Sequence, residues 1–123
     1  MLNENAKKLV EALRSGEFKQ TKYSLSNGTE HCCLGVACEV AIKNGLNLTK
    51  QTNYRDSLTA YDENTNYLPP PVANWLGFSS VRGAYLDNRG ANQWLSYDND
   101  FNGKTFEEIA DIIESEPAGL FVE

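Results

Sequence analysis

Histidine is almost missing from this chain: His31 is the only one in 123 residues. A nucleophile placed elsewhere therefore has no second imidazole to draw on as a base. Cysteine is scarce as well. Cys32, Cys33 and Cys38 stand close together and odd in number. That is no disulfide framework, so reduced, buried thiols are expected, as in a cytoplasmic protein. Positive charge is in deficit, with 11 Lys and Arg against 17 Asp and Glu and a net charge of −6. A field of that sign repels phosphate and disfavours direct binding to nucleic acid or anionic membrane. It suits a protein that meets basic surfaces.

Long apolar runs are absent too, and none approaches the ~20 residues that span a bilayer. Residues 1–8 are polar and lack the apolar stretch of a secretion signal. The sequons Asn27-Gly28-Thr29 and Asn47-Leu48-Thr49 are accordingly expected to be unused. No Gly-Lys-Ser/Thr sequence occurs, and Gly83, Gly90 and Gly103 form no phosphate loop.

What remains is ordinary globular usage, 41% hydrophobic and 23% charged. The length fits one domain over residues 1–123. Residues 6–15 read as an amphipathic helix, with Asn3 or Asn5 as its cap and Gly16 at its end. Asn27-Gly28 between residues 23–26 and 29–32 signals a two-residue hairpin. Residues 33–44 read as a buried helix, small at Gly35 and Ala37. Short strands are expected around Tyr54 and over residues 58–61. The three prolines from Pro69 set up a short helix closed by Gly77. Residues 84–86 and 93–97 read as a second hairpin. Thr105 and Glu108 make a capping box for a helix over residues 105–115, and the apolar tail 119–122 should dock. The expected class is α+β, a small antiparallel sheet packed against three or four helices.

Four groups of residues could carry chemistry. Cys33 would open a helix, where the N-terminal dipole lowers a thiol pKa, and His31 would be its only base. Against that, His31 lies two residues upstream in poor geometry for a dyad, and a buried structural thiol is the simpler account. His31, Cys32, Cys33 and Cys38 lack the spacing of a zinc site. Asp98, Asp100, Asn102 and Gly103 imitate the start of a calcium loop, but Ile109 occupies the position where the loop needs its closing Glu. No metal or cofactor is expected. The fourth group is Tyr54, Arg55, Tyr61, Tyr67, Arg82, Tyr85, Arg89 and Trp94, set in polar, turn-rich sequence. Aromatic faces with guanidinium groups can hold a base and its phosphates. The plainer account has tyrosines covering sheet edges and arginines solvating.

Four phrases in order, residues 11–16 (Glu-Ala-Leu-Arg-Ser-Gly), 31–39 (His-Cys-Cys-Leu-Gly-Val-Ala-Cys-Glu), Tyr67-Leu68-Pro69 with Trp75-Leu76-Gly77, and 105–114 with Phe-Glu-Glu-Ile-Ala-Asp, run over most of the chain. Together they resemble a family of small proteins of tailed phages, prophages and some bacteria. The resemblance implies a phage-like origin and a bacterial host cell. It carries no catalytic residue. The expected function is a non-enzymatic binding protein that counters host defence. It would either sequester a small nucleotide-derived signal on the aromatic and arginine set or block a host defence protein with acidic Asp98, Asp100, Glu107, Glu108, Asp111, Glu114 and Glu116. Self-association to complete a site is a third partnership. The alternative class is a hydrolase or transferase dependent on Cys33.

Overall fold

The structure, a computed structural model, describes residues 2–123. Among the described residues, five helices and three short two-stranded ladders make an α+β fold. Helix α1 (Glu4–Arg14) is capped by Asn3, whose side chain accepts from Ala6 N at 2.8 Å. Its Ala6, Leu9, Val10 and Leu13 fall on one stripe and are all buried. Helix α2 (Cys33–Lys43) is the central element. Residues from Cys33 to Cys38, with Val40 and Ala41, are buried on every side. Cys32 caps it, its Sγ accepting from Gly35 N at 3.4 Å.

Helix α3 (Pro70–Leu76) ends at Gly77, whose φ of +77° is the left-handed conformation that glycine adopts without a Cβ penalty. Its last carbonyls are satisfied by the start of α1: Asn3 donates to Leu76 O at 2.9 Å and Asn5 to Trp75 O at 2.8 Å. The C-terminal helix α5 (Phe106–Glu114) has the expected capping box, Thr105 and Glu108 each bonding the other's backbone N–H. Phe106, Ile109, Ala110 and Ile113 bury its stripe against the core. Helix α1 packs most extensively on α5 and then on α2. Among the described residues no helix is long and apolar enough to cross a membrane.

The β-structure is spread over three ladders. Strand β1 (Lys19–Gln20) runs parallel to β2 (Glu30–His31). Around Asn27-Gly28 the arms meet at Ser26 and His31, with Cys32 N donating to Leu25 O. The loop is therefore four residues long, not two. Asn27 makes the difference, because its carboxamide oxygen accepts from Thr29 N and Glu30 N. The first arm is also interrupted, with Tyr23 at φ +71° and Leu25 N turned to Thr65 O.

Strands β3 (Lys50–Thr52) and β4 (Thr59–Tyr61) pair antiparallel, as do β5 (Ala84–Leu86) and β6 (Asn92–Trp94). The turn between β5 and β6 closes on Asp87, whose Oδ1 accepts from Arg89 N and Ala91 N. The strand expected over residues 93–97 stops at Trp94, where a short helix begins, α4 (Leu95–Asp100). The buried face of α4 is Leu95, Asp98 and Asn99. Two of these three are polar, so the helical period does not show as hydrophobicity. The tail docks as expected: Leu120 is buried, Ser79 N donates to Leu120 O and Val122 N to Gly77 O.

Candidate functional site

Cys33 sits at the first turn of α2, as the sequence suggests, but its thiol is shut in. Its Sγ lies 3.5 Å from Leu95 O, and burial raises its pKa well above the ordinary thiol value. Burial likewise pushes Cys32 up to about 12 and raises Cys38. A protonated, enclosed thiol is a poor nucleophile. His31 faces away from it toward α2: its Nε2 lies 3.7 Å from Glu39 Oε2, while its buried Nδ1 has no hydrogen-bond partner. Among the described residues no group of three His, Cys, Asp or Glu side chains could hold a metal. Asp98 of the calcium-like stretch is buried and accepts from the Tyr85 hydroxyl and from Asn102 Nδ2.

Glu39 is the hub of a polar cluster between α2 and the β3–β4 ladder. It accepts from the Tyr61 hydroxyl at 2.5 Å and pairs with Lys50 Nζ at 2.7 Å. The His31 imidazole, then Lys50 and the Tyr61 hydroxyl, hold its carboxyl at about 2 against the opposing cost of burial. The sign follows from a folded value below the unfolded one, near 4.5. The cluster stabilises fully above pH ~4.5, and that contribution is lost as pH falls toward 2. Glu39→Gln should flatten this limb of an acid-denaturation curve; an unchanged acid midpoint and slope would refute the assignment.

The eight aromatic and arginine candidates do not form one pocket. Tyr61 is fully buried because β4 turns Thr59 and Tyr61 inward. Tyr85, at the centre of β5, is buried with its hydroxyl on Asp98. Tyr61 is closed to a ligand, while Tyr85 borders a groove of about 370 Å³ with Asp87, Gln93 and Lys104. Tyr54 and Arg55 lie exposed in the turn of β3–β4, and Arg89 at the tip of β5–β6. Of the remaining three, Arg82 and Tyr67 come together: Arg82 donates to the Tyr67 hydroxyl at 2.6 Å with its guanidinium 4.6 Å from the Tyr67 ring centroid. Trp94 precedes α4, and its ring packs on Tyr97.

Three rings outside the candidate set complete this face. Trp94 and Tyr97 lie 5.8 Å apart, Tyr97 and Phe101 4.7 Å, and Phe101 and Tyr23 5.5 Å. The Tyr67 and Arg82 segments adjoin the row through backbone contacts: Asn66 Nδ2 donates to Tyr23 O, and Ser96 N donates to Arg82 O. Most of this is accessible: Phe101 is 62% exposed, Tyr23 59%, Tyr97 49% and Tyr67 38%, while Trp94 is half-buried. A contiguous aromatic face open to solvent is unusual, since lone exposed rings are common but patches are not. Tyr97 and Phe101 stand four apart, neighbours only on a helix. Reading residues 93–97 as strand hides that pair.

Part of the acidic stretch is engaged within the fold, though Glu107, Asp111 and Glu114 stay exposed. Arg14 of α1 bridges Glu107, Asp111 and Glu114 of α5 at 2.8–3.0 Å. Glu108 caps α5, and Asp100 accepts from Tyr23 N.

The family model described as Domain of unknown function (DUF8296) matches residues 1–117. The chain belongs to that family. No curated protein and no solved structure matches it. The span of DUF8296 takes in all five helices, the three ladders and every ring of the aromatic face. It leaves out only the tail that docks beside Gly77 and Ser79.

Proposed function

We propose that this DUF8296 domain is a non-enzymatic protein-binding module whose contact surface is the aromatic face of α4. The observation that carries the reading is the row Trp94–Tyr97–Phe101–Tyr23, in which Tyr97, Phe101 and Tyr23 are exposed, with the Arg82–Tyr67 pair on a segment bonded to the backbone of α4. Tyr, Trp, Phe and Arg are the residues that dominate the energetic centres of protein interfaces. Rings already packed on one another lose little side-chain freedom when a partner covers them. The grooves of about 370–410 Å³ lie apart from this face: Tyr54 borders one and Tyr85 another, and no ring of the row lines any of the three. The phage-like resemblance makes a host protein, and within it a defence component, the natural partner.

The test is site-specific photo-crosslinking in producing cells, with the probe at Tyr97 and a control probe at Tyr54. A discrete adduct at position 97, absent at 54, is expected. Phe101→Ala should weaken the captured complex by about 10- to 30-fold, the scale of an interface hot spot, with little change in melting temperature because the ring is exposed. Equal adducts from both positions, or full affinity in Phe101→Ala, would sink the proposal.

A further inference from the structure

The face has a chemical sense beyond its apolarity, and it is set by Arg82. Four arginines occur in the chain. Arg14 is saturated by three carboxylates. Arg55 and Arg89 stand in exposed turns, and Arg89 has Asp87 close enough to act on electrostatically. Arg82 is different. Its guanidinium is fixed over the Tyr67 ring and on the Tyr67 hydroxyl, and among the described residues no carboxylate pairs with it. In a chain of net charge −6, a held cation with no carboxylate partner, on the segment whose carbonyl accepts from Ser96 N of α4, is a recognition element. Stacking occupies one face of the guanidinium and one of its N–H groups, leaving the rest of the fork for a planar acceptor.

The nearby charges agree. Lys22 is exposed beside Tyr23, and Asp100 spends its Oδ1 on Tyr23 N and on Asn99 Nδ2. Lys22 and Arg82 thus put two cations near the rings. A single guanidinium matches a carboxylate, whereas a phosphate dianion is generally met by several cations. We infer that the protein partner presents an Asp or Glu side chain, flanked by apolar residues, to Arg82. This rests on the reading of the aromatic face as a protein-binding surface. The apolar flank covers Tyr97 and Phe101, and the carboxylate accepts from Arg82 at the rim.

The experiment uses a displayed random-peptide library selected on the folded full chain. Peptides with Asp or Glu next to Leu, Phe or Trp should be enriched. Arg82→Ala should weaken them at least about fivefold and erase the preference for the acid, as expected for loss of one partner of an interfacial charge pair. Arg82→Lys should restore only part, because an ammonium lacks the planar fork. Tyr67→Phe, which keeps the ring and loses the hydroxyl, should weaken binding less than Arg82→Ala. If Phe101→Ala abolishes binding while Arg82→Ala leaves it unchanged, the face stands and the carboxylate inference falls. If neither substitution matters, or no peptide is enriched, both fall. A dimer in sedimentation that Phe101→Ala dissociates would show a second copy as the occupant. Adenosine monophosphate shifting the Tyr67 resonances would show a small anion instead. Either result overturns the inference.

Discussion

Gly35→Ala is expected to lower the melting temperature by about 10 °C or more, a loss above ~3 kcal/mol for a domain of this size. The sign is the informative part. Within an exposed helix the same substitution stabilises by about 1 kcal/mol, because alanine has the higher propensity. Here a methyl at position 35 would sit 1.8 Å from Leu25 O, 2.7 Å from Leu25 C and 3.3 Å from its Cα. These are backbone atoms, so no side-chain rotation relieves the overlap. Leu25 O is also held from the other side, where it accepts from Cys32 N at 3.0 Å. Moving the Leu25 segment breaks that bond and the cap of α2 with it, and α2 is the helix around which the core is built. Thermal or urea denaturation decides the matter. A variant as stable as the parent would show that the close approach of Leu25 to α2 does not exist in solution.

Asn99→Asp should destabilise by roughly 3–5 kcal/mol at neutral pH while changing almost nothing in shape. Asn99 is fully buried and uses its whole carboxamide. Its Oδ1 accepts from Cys33 N at 3.1 Å and from Gln20 Nε2 at 2.8 Å. Its Nδ2 donates to Thr21 O at 2.8 Å and to Asp100 Oδ1 at 2.9 Å. One side chain thus ties α4 to the N-terminus of α2 and to the segment after β1. An aspartate there sets a carboxylate oxygen against a carbonyl and a second carboxylate, both acceptors, in a place without water. The buried acid will have a raised pKa, so its penalty is full well above the ordinary carboxyl value and shrinks as pH falls and the group protonates. Urea midpoints across pH read this directly. A penalty that stays constant down to pH 4 would mean that the network is not what the substitution disturbs.

Much of the helical fold was legible in the residues. Asn3 and Thr105 are side-chain caps, the stripes of α1 and α5 have helical spacing, and Pro69–Pro71 with Gly77 bracket α3. These are local signals, each decided within a few residues of itself, and they survive in the folded chain. The hairpin at Asn27-Gly28 was half legible. The turn is there, but its length depends on which acceptor Thr29 N and Glu30 N choose, and the Asn27 side chain wins over a cross-strand partner.

The candidate surface was mostly illegible for a related reason. Tyr61, Tyr85, Tyr67 and Trp94 are alike as letters in polar, turn-rich stretches. Their fates differ because short strands turn two of them inward, onto Glu39 and Asp98, and leave the other two at the rim. Tyr23 and Phe101 meet across the fold, as Arg14 meets the acids of α5. Local residue patterns were enough for the caps and the apolar faces of three helices. Only the packing of distant segments set which aromatics face water and which acids share a cationic partner. Packing and charge pairing between distant segments depend on where the chain returns in space, and no local pattern encodes that.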